Sequence, residues 1–332
     1  MWADNARVVS VFAVIVLHVS AAFVGGVAQT DIAYGQGVWW VANFFDSVSR
    51  WCVPVFIMLS GYFLLNKKES DSLFFKKRIS RILLPVIFWS VFFSAWLALK
   101  DYVKGESYLT LGKLSVGFLS GEPYFHLWYV YMIPFLYVVT PFVRVFIQSS
   151  DSGLLFRFIG FCFLLASGNV LLGFLFYGQS DTFFGNNFLL YLGYYAFGGY
   201  VAKYEFEPSS RCCVFWLLVA WVVTILGSYF FSYEYFYSYL SVNTVAASLC
   251  VFVLMRRFLR FGSAGGRLAA LSFGVYLVHP VFLDVFSFLF KSRVSNAFEA
   301  VFYVSLVSIA VFVLSCFAAY CIKKFKFSSG LV

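Results

Sequence analysis

An arginine and a histidine lie eleven positions apart in one apolar stretch near the start of the chain, ARVVSVFAVIVLHVS (6–20). Eleven helical positions make almost three turns, so Arg7 and His18 project from nearly the same face, about 16 Å apart along the axis. A neutral imidazole can take a proton from an attacking hydroxyl near pH 7, or carry an acyl group itself. Ionisable groups inside a membrane are costly and usually face a polar pathway, which favours a functional role for His18.

The two other histidines of the chain are His126 and His279. His279 lies near the middle of a later apolar stretch, and His126 lies at the start of another. For each of them a hydrogen-bonded core residue is the alternative to a catalytic one. The sequence contains no H-E-x-x-H motif and no cluster of His and Cys, and its seven cysteines form no C-x-x-C pair. We therefore expect no metal site.

The elements that position these residues are membrane helices. Hydrophobic residues make up 62% of the chain and charged residues 12%, against roughly 45–50% and 25% in soluble domains. We predict an all-α polytopic membrane protein, with one transmembrane domain over 1–322 and a short basic cytoplasmic tail over 323–332. Runs long enough to cross a ~30 Å hydrocarbon core predict about ten helices, near 8–26, 38–65, 82–99, 124–147, 155–175, 187–202, 212–231, 237–255, 270–290 and 300–321.

The distribution of Lys and Arg predicts the orientation. With the N-terminus inside, the cytoplasmic segments hold 18 of the 24 basic residues. The positive-inside rule then places both termini in the cytoplasm, which an even number of spans allows.

A basic inner segment, KKRISRILLP (76–85), carries Arg78 and Arg81 in an R-x-x-R spacing just before a helix. The spacing aims both guanidinium groups at one target, and each can grip phosphate oxygens in a bidentate fork. Attraction to anionic lipid head groups is the alternative.

Further polar groups lie within or beside the spans. Asp46 and Arg50, at i and i+4 in the second span, are expected to pair, because an unpaired charge there is expensive. Glu122 precedes Pro123, so it is either the N-cap of the fourth span or a carboxylate that orients His126. The SGY motif at 60–62 is either a close-packing site or a backbone opening for a ligand.

Several motifs together resemble the membrane acyltransferase-3 family of bacterial integral-membrane O-acyltransferases. They are, in chain order, R-x10-H from Arg7 to His18 with Asp4 before it, RWCVPVFIMLSGYFLL (50–65), KKRISRILLP (76–85), HLWYVYMIPFLYVVTP (126–141), LGYYAFGGYVA (192–202) and LSFGVYLVHPVFL (271–283). The wording of the second and fourth motifs is closest to the branch that modifies cell-surface polysaccharides or their lipid-linked precursors.

The resemblance implies an enzyme of the bacterial cytoplasmic (inner) membrane that takes an acyl group, usually acetyl, from cytoplasmic acetyl-CoA. The acceptor is a hydroxyl of a surface glycan or of a polyprenyl-linked saccharide. It makes Arg7 and His18 the essential catalytic pair, with His18 as general base or transient acyl carrier. It also implies that Arg78 and Arg81 contact the CoA phosphates.

Positions along the spans then suggest the other assignments. Ser60 and Tyr62, in the inner half of the second span, are assigned to the donor. His279 is a second acyl relay or positions His18, and His126 with Glu122 holds the sugar at the outer mouth. Asp46, Arg50 and Trp128 complete the acceptor side. Membrane lipid is an expected partner and nucleic acid is not, and a homo-oligomer is left open.

A transporter, exporting a small organic acid or a lipid-linked saccharide, is the alternative function. Spans with midplane ionisable groups and a basic inner rim suit that class too. Thioester cleavage separates the two, because a transporter leaves acetyl-CoA intact.

Overall fold

The structure is a computed structural model that describes residues 2–25, 27–105, 117–118, 121–177, 187–259, 264–325 and 329–332. These residues form α-helices, turns and two short 3₁₀ segments, with no strand among them. The predicted all-α polytopic membrane architecture is confirmed, and the orientation stays a prediction. Three of the basic residues that the orientation rests on, Lys113, Arg260 and Lys326, lie outside the described residues.

The described residues contain fourteen α-helices, numbered here in chain order. They are α1 (Trp2–Val24), α2 (Gly37–Ser49), α3 (Cys52–Leu64), α4 (Asp71–Lys104), α5 (Trp128–Ser149), α6 (Ser152–Tyr177), α7 (Asn187–Leu190), α8 (Leu192–Tyr204), α9 (Ser210–Phe230), α10 (Tyr233–Phe236), α11 (Val242–Phe258), α12 (Ala264–Ala269), α13 (Ser272–Phe290) and α14 (Ala297–Lys324).

Within the described chain, eight segments are long and apolar enough to cross a membrane: α1, α2 with α3, α4, α5, α6, α9, α13 and α14. The other two predicted spans correspond to α8, with 13 residues, and α11, with 17. At 1.5 Å per residue these helices are only about 20 and 26 Å long. Residues 193–201 of α8 are all buried. A helix that is apolar and buried all round lies inside the bundle rather than against lipid.

The second predicted span is broken into α2 and α3 at Arg50 and Trp51. Pro54 explains the break, because it has no N–H to give to the carbonyl four residues earlier, at Arg50, and its ring crowds that carbonyl. The hydrogen-bond ladder resumes with Val55 N–H donating to the Trp51 carbonyl at 3.1 Å. The break places Arg50 at a helix end, one turn from Asp46.

Two glycines allow α3 and α8 to cross in close contact. A Cβ at Gly61 would overlap the Tyr195 carbonyl, and one at Gly198 would overlap the Met58 carbonyl. Small residues at a crossing let two membrane helices approach backbone to backbone. The SGY motif is therefore a close-packing site at Gly61, one of the two roles that the sequence left open.

The segment that joins α3 to α4 is held by Arg144, which is buried in α5. Its guanidinium donates to the Leu64 carbonyl at 3.0 Å and to the Glu69 carbonyl at 3.2 Å. Burial alone would raise the pKa of the Glu69 carboxyl, but the ammonium groups of Lys67 and Lys77 beside it outweigh burial and lower that pKa. This cluster fixes the start of α4, which carries Arg78 and Arg81.

Candidate active site

All three histidines of the chain meet in one cluster, which we call the histidine cluster (His18, His126 and His279). The His18 and His279 rings stack with centroids 5.4 Å apart, and the His126 and His279 rings meet edge-to-face at 5.5 Å. They come from α1, from the turn before α5 and from α13. The structure thus brings together residues that are more than 100 positions apart in the chain.

The proline after His279 decides which nitrogen of the His279 ring carries the proton. Pro280 has no N–H, so the helix leaves the carbonyl of Tyr276, four residues earlier, without its usual partner. The Nδ1 atom of His279 lies 2.7 Å from that carbonyl oxygen. Because a carbonyl only accepts, Nδ1 carries the proton in the neutral ring and Nε2 keeps its lone pair. Nε2 is buried and makes no hydrogen bond to a described residue.

His126 is enclosed, with 1% of its surface exposed, rather than placed at an outer mouth as its sequence position suggested. The reason is local. Residues 121–127 form turns, and α5 begins only at Trp128, with Leu127 as its N-cap. The Tyr276 hydroxyl donates to the His126 carbonyl and pins this turn to α13.

Glu122 plays neither of the roles considered for it. It is not the N-cap of α5, and its side chain is exposed while both ring nitrogens of His126 lack a hydrogen bond of normal geometry to a described residue. The helix starts six residues later than Glu122, because the chain turns twice before entering it. Glu122 lies instead within electrostatic range of Tyr191.

A second, partly buried network holds the same turn from the other side. Asp284 of α13 accepts from Trp96 Nε1 at 2.8 Å, from Lys100 Nζ at 2.9 Å and from the Tyr124 hydroxyl. Trp96 and Lys100 belong to α4, so one carboxylate joins α4, α13 and the residue two positions before His126. The sequence alone assigns Asp284 no role, because its partners are distant in the chain.

Arg7 lies at the far end of α1 from the histidine cluster. Its guanidinium donates to Asp4 at 2.8 Å and lies 5.3 Å from the centre of the Phe63 ring. Eleven residues of helix separate Arg7 from His18 by about 16 Å, so the two side chains do not meet at one point.

Arg78 and Arg81 occupy the first half of α4, near the same end. Arg81 is exposed, and Arg78 is half-buried, 5.7 Å from the centre of the Phe74 ring. Arg78 also borders an apolar cleft of about 340 Å³ between α4 and α5. Tyr137 of α5 lies within electrostatic range of both arginines, and Tyr129 lies within that range of Tyr137.

A row of three tyrosines links the arginine end to the histidine cluster. Tyr137 and Tyr129 lie on α5, and the Tyr129 ring is 5.5 Å from the Tyr276 ring. Tyr276 in turn lies 5.5 Å from the ring of His126 and 5.9 Å from that of His279. Their hydroxyls are polar groups between the arginine end and the histidine cluster, and a sequence rich in tyrosine does not single them out.

Ser60 and Tyr62 lie beside the Gly61 crossing. The Ser60 hydroxyl donates to the Phe56 carbonyl at 3.0 Å within its own helix. The Tyr62 ring packs edge-to-face on Trp2, at 5.2 Å. Both side chains are half-buried, on the Arg7 side of the molecule.

Asp46 and Arg50 form the expected pair, in which Arg50 Nε donates to Asp46. Arg50 also donates to the Tyr237 carbonyl at 2.9 Å. Both residues line a cavity of about 450 Å³ at the end of α1 opposite Arg7, which we call the tyrosine cavity after Tyr191, Tyr233, Tyr237 and Tyr239 in its wall. Trp128 packs behind this wall, 5.5 Å from Tyr191 and 5.6 Å from Tyr239.

Among the described residues no group of three or more His, Cys, Asp or Glu side chains has an arrangement that holds a metal ion. The parallel stacking of the His18 and His279 rings turns their faces, not their lone pairs, towards each other. An imidazole side chain can accept and return a proton or carry an acyl group.

The fold and the site define a class: a polytopic helical membrane protein with an ionisable cluster between a basic end and an open cavity. A family model described as an acyltransferase domain matches residues 2–321. The chain belongs to the acyltransferase-3 family and is a membrane acyltransferase. No curated protein and no solved structure matches it significantly.

Proposed function

We propose that the chain moves an acyl group, acetyl in the simplest case, from acyl-CoA to a hydroxyl of a cell-surface glycan or its lipid-linked precursor. The observation that carries this proposal is the histidine cluster, buried between an arginine-bearing end and the tyrosine cavity. A two-substrate transfer needs a base where two ligands meet from opposite directions.

The donor is assigned to the end that carries Arg7, Arg78 and Arg81. Three guanidinium groups suit the phosphates of CoA, because each can hold phosphate oxygens in a fork. The pantetheine arm then runs along Tyr137 and Tyr129 and brings its thioester to His18. CoA is a cytoplasmic metabolite, so this end faces the cytoplasm of a bacterial cell, in agreement with the positive-inside count.

The transfer needs one base that later acts as an acid. The His18 imidazole takes the proton of the acceptor hydroxyl while the hydroxyl oxygen attacks the thioester carbonyl. As the tetrahedral intermediate collapses, the carbon–sulfur bond breaks and the imidazolium returns the proton to the leaving thiolate. The products are the acyl ester and CoA thiol. His279, with Nε2 unprotonated and its ring against His18, either positions that imidazole or accepts the acyl group as a relay.

The test uses the purified chain in nanodiscs with radiolabelled acetyl-CoA and a membrane extract that contains lipid-linked saccharides. Release of CoA thiol and label in the saccharide fraction are measured for the wild type, for His18→Ala and for Val9→Ala. Val9 is exposed on the same helix, so it controls for damage to α1. We expect His18→Ala to lose at least a hundredfold in CoA release and Val9→Ala to match the wild type.

Intact acetyl-CoA in every reaction, together with movement of an organic acid or a saccharide across sealed vesicles, would replace the proposal with the transporter alternative. Equal CoA release by the wild type and His18→Ala would remove His18 from the chemistry.

A further inference from the structure

Asp46, a residue of the wall of the tyrosine cavity, has a buried carboxylate oxygen that no described residue hydrogen-bonds. Asp46 has 0% of its surface exposed, and its Oδ1 accepts from Arg50. Its Oδ2 is buried and has no hydrogen-bond partner among the described residues. A buried, unpaired carboxylate oxygen is expensive, so one that belongs to a residue of a cavity wall points to a ligand that supplies the missing donor.

We propose that this cavity is the acyl-acceptor subsite and that its occupant is an uncharged sugar ring, one hydroxyl of which donates to Asp46 Oδ2. The proposal rests on the acyl-transfer function and adds the place of the acceptor and its class. At about 450 Å³, the cavity falls within the usual range of small-molecule sites, roughly 300–1,000 Å³.

The cavity lies next to the base that the transfer needs. Ala21 lines it, one helical turn beyond His18 on α1, which is about 4.5 Å along the axis. Side chains on a helix lean towards its N-terminus, so Ala21 and His18 cover adjoining parts of one face. Arg50 is close enough to His18 to act on it electrostatically. The cavity therefore adjoins the part of α1 that carries His18.

The wall around Asp46 is fixed before any ligand binds. Asn43, one turn earlier on α2, accepts from the hydroxyls of Ser47, Ser228 and Tyr237 at 3.0, 3.0 and 2.7 Å. Its amide donates to the Ile225 carbonyl at 3.1 Å. These bonds tie α2 to α9 and to Tyr237, so little conformational entropy is lost when a sugar enters.

The charges of the wall decide which sugars fit. The lining contains one cation, Arg50, and two carboxylates, Asp46 and Glu234, for a formal balance of −1. The Arg50 charge is already engaged, since its guanidinium bonds Asp46 and lies 4.3 Å from the centre of the Tyr237 ring. A sugar carboxylate would meet Asp46 and Glu234 at close range, where like charges repel strongly. The tyrosines offer apolar faces and polar tips, which suit an uncharged polyhydroxylated ring.

The experiment measures binding to the wild type in nanodiscs by calorimetry. The probes are four neutral tetrasaccharides, built from glucose, galactose, mannose or N-acetylglucosamine, and tetragalacturonate as the acidic counterpart. The blocking variant is Ala21→Leu, which fills the cavity without changing a charge. Its matched control is Ala22→Leu, which makes the same change at the next position of α1, outside this lining. Asp46→Asn tests the carboxylate, with exposed Asp31→Asn as its charge-matched control.

We expect at least one neutral tetrasaccharide to bind at least tenfold more tightly than tetragalacturonate. Ala21→Leu weakens that binding at least tenfold and Ala22→Leu does not, while Asp46→Asn weakens it about fivefold more than Asp31→Asn. The proposal is overturned if no neutral probe binds, if tetragalacturonate binds equally well, or if Ala21→Leu keeps wild-type affinity.

His18→Ala separates this inference from the acyl-transfer proposal. Sugar binding that survives in His18→Ala while CoA release is lost supports both. If Ala21→Leu blocks sugar binding but the protein never releases CoA, the subsite is supported and the acyl-transfer proposal is rejected. CoA release that depends on His18, without binding of any neutral sugar, supports the transfer and overturns the subsite.

Discussion

The Nδ1 atom of His279 lies 2.7 Å from the carbonyl oxygen of Tyr276, the one helix carbonyl that Pro280 leaves without its usual partner. This relationship fixes which nitrogen of a buried imidazole carries the proton. It also gives a physical reason for the H-P dipeptide at His279 and Pro280. A proline inside a membrane helix is tolerated when a neighbouring donor satisfies the carbonyl that it frees.

Pro280→Ala tests whether the proline is needed for the hydrogen bond between His279 and the Tyr276 carbonyl. The new N–H at position 280 competes for the Tyr276 carbonyl, so His279 loses its fixed tautomer while the helix becomes more regular. We expect CoA release to fall at least tenfold with an unchanged or higher unfolding temperature. Pro141→Ala, at another proline inside a helix, controls for the loss of a proline alone. A fully active Pro280→Ala would show that the tautomer need not be held.

Tyr276→Phe removes the hydroxyl that donates to the His126 carbonyl and pins the turn before α5. A lost hydrogen bond of this kind costs about 1 kcal/mol, which leaves the fold intact. We expect a severalfold to tenfold lower kcat with an unchanged KM for acyl-CoA, measured as CoA release over a range of donor concentrations. Tyr303→Phe is the matched control, since that half-buried tyrosine has no hydroxyl hydrogen bond in the described part of the protein. An effect on KM alone would place Tyr276 in donor binding instead.

Asp284→Asn leaves the Lys100 ammonium without its ion-pair partner. Breaking a partly buried pair from one side costs about 1–3 kcal/mol, so we expect a lower unfolding temperature in detergent. The double variant Lys100→Gln with Asp284→Asn removes both charges and is expected to recover part of the loss. Asp101→Asn, at the neighbouring position of α4, is the control. Equal stability of the single and double variants would mean that Lys100 is solvated rather than paired.

Arg78→Ala and Arg81→Ala test the donor end. If these guanidinium groups hold the CoA phosphates, each substitution raises the KM for acetyl-CoA about tenfold. Added salt also raises the KM of the wild type for acetyl-CoA. Lys76→Ala changes an exposed cation two residues away and controls for the general attraction of a basic segment. KM values that move equally in all three variants would assign this segment to lipid or topology.

Gly61→Ala tests the helix crossing, because the added Cβ overlaps the Tyr195 carbonyl. Backbone contacts cannot shift cheaply, so we expect strong destabilisation or no folded protein. Gly160→Ala is the matched control: nothing lies within 4 Å of its added Cβ, and a glycine inside a helix is about 1 kcal/mol less favourable than alanine. It should stabilise slightly. Normal thermal stability of detergent-purified Gly61→Ala would contradict the crossing.

The sequence determined the class of fold by itself, because composition and the length of apolar runs decide whether a segment lies in lipid. It also singled out His18 as an ionisable residue in an apolar stretch, and it predicted the pairing of Asp46 with Arg50 from their i, i+4 spacing. Such local relationships follow from a period of 3.6 residues and need no knowledge of other helices.

Tertiary structure alone decided the rest. His126 looked like a residue of the outer mouth, yet the turn at 121–127 lets α5 begin late and brings its ring to His279. The role of Asp284 depends on the packing of α4 beside it, and the role of Gly61 depends on the crossing of α8. These contacts join residues 134 to 188 positions apart. Their geometry depends on how whole helices pack, and the pattern along any single helix does not contain it.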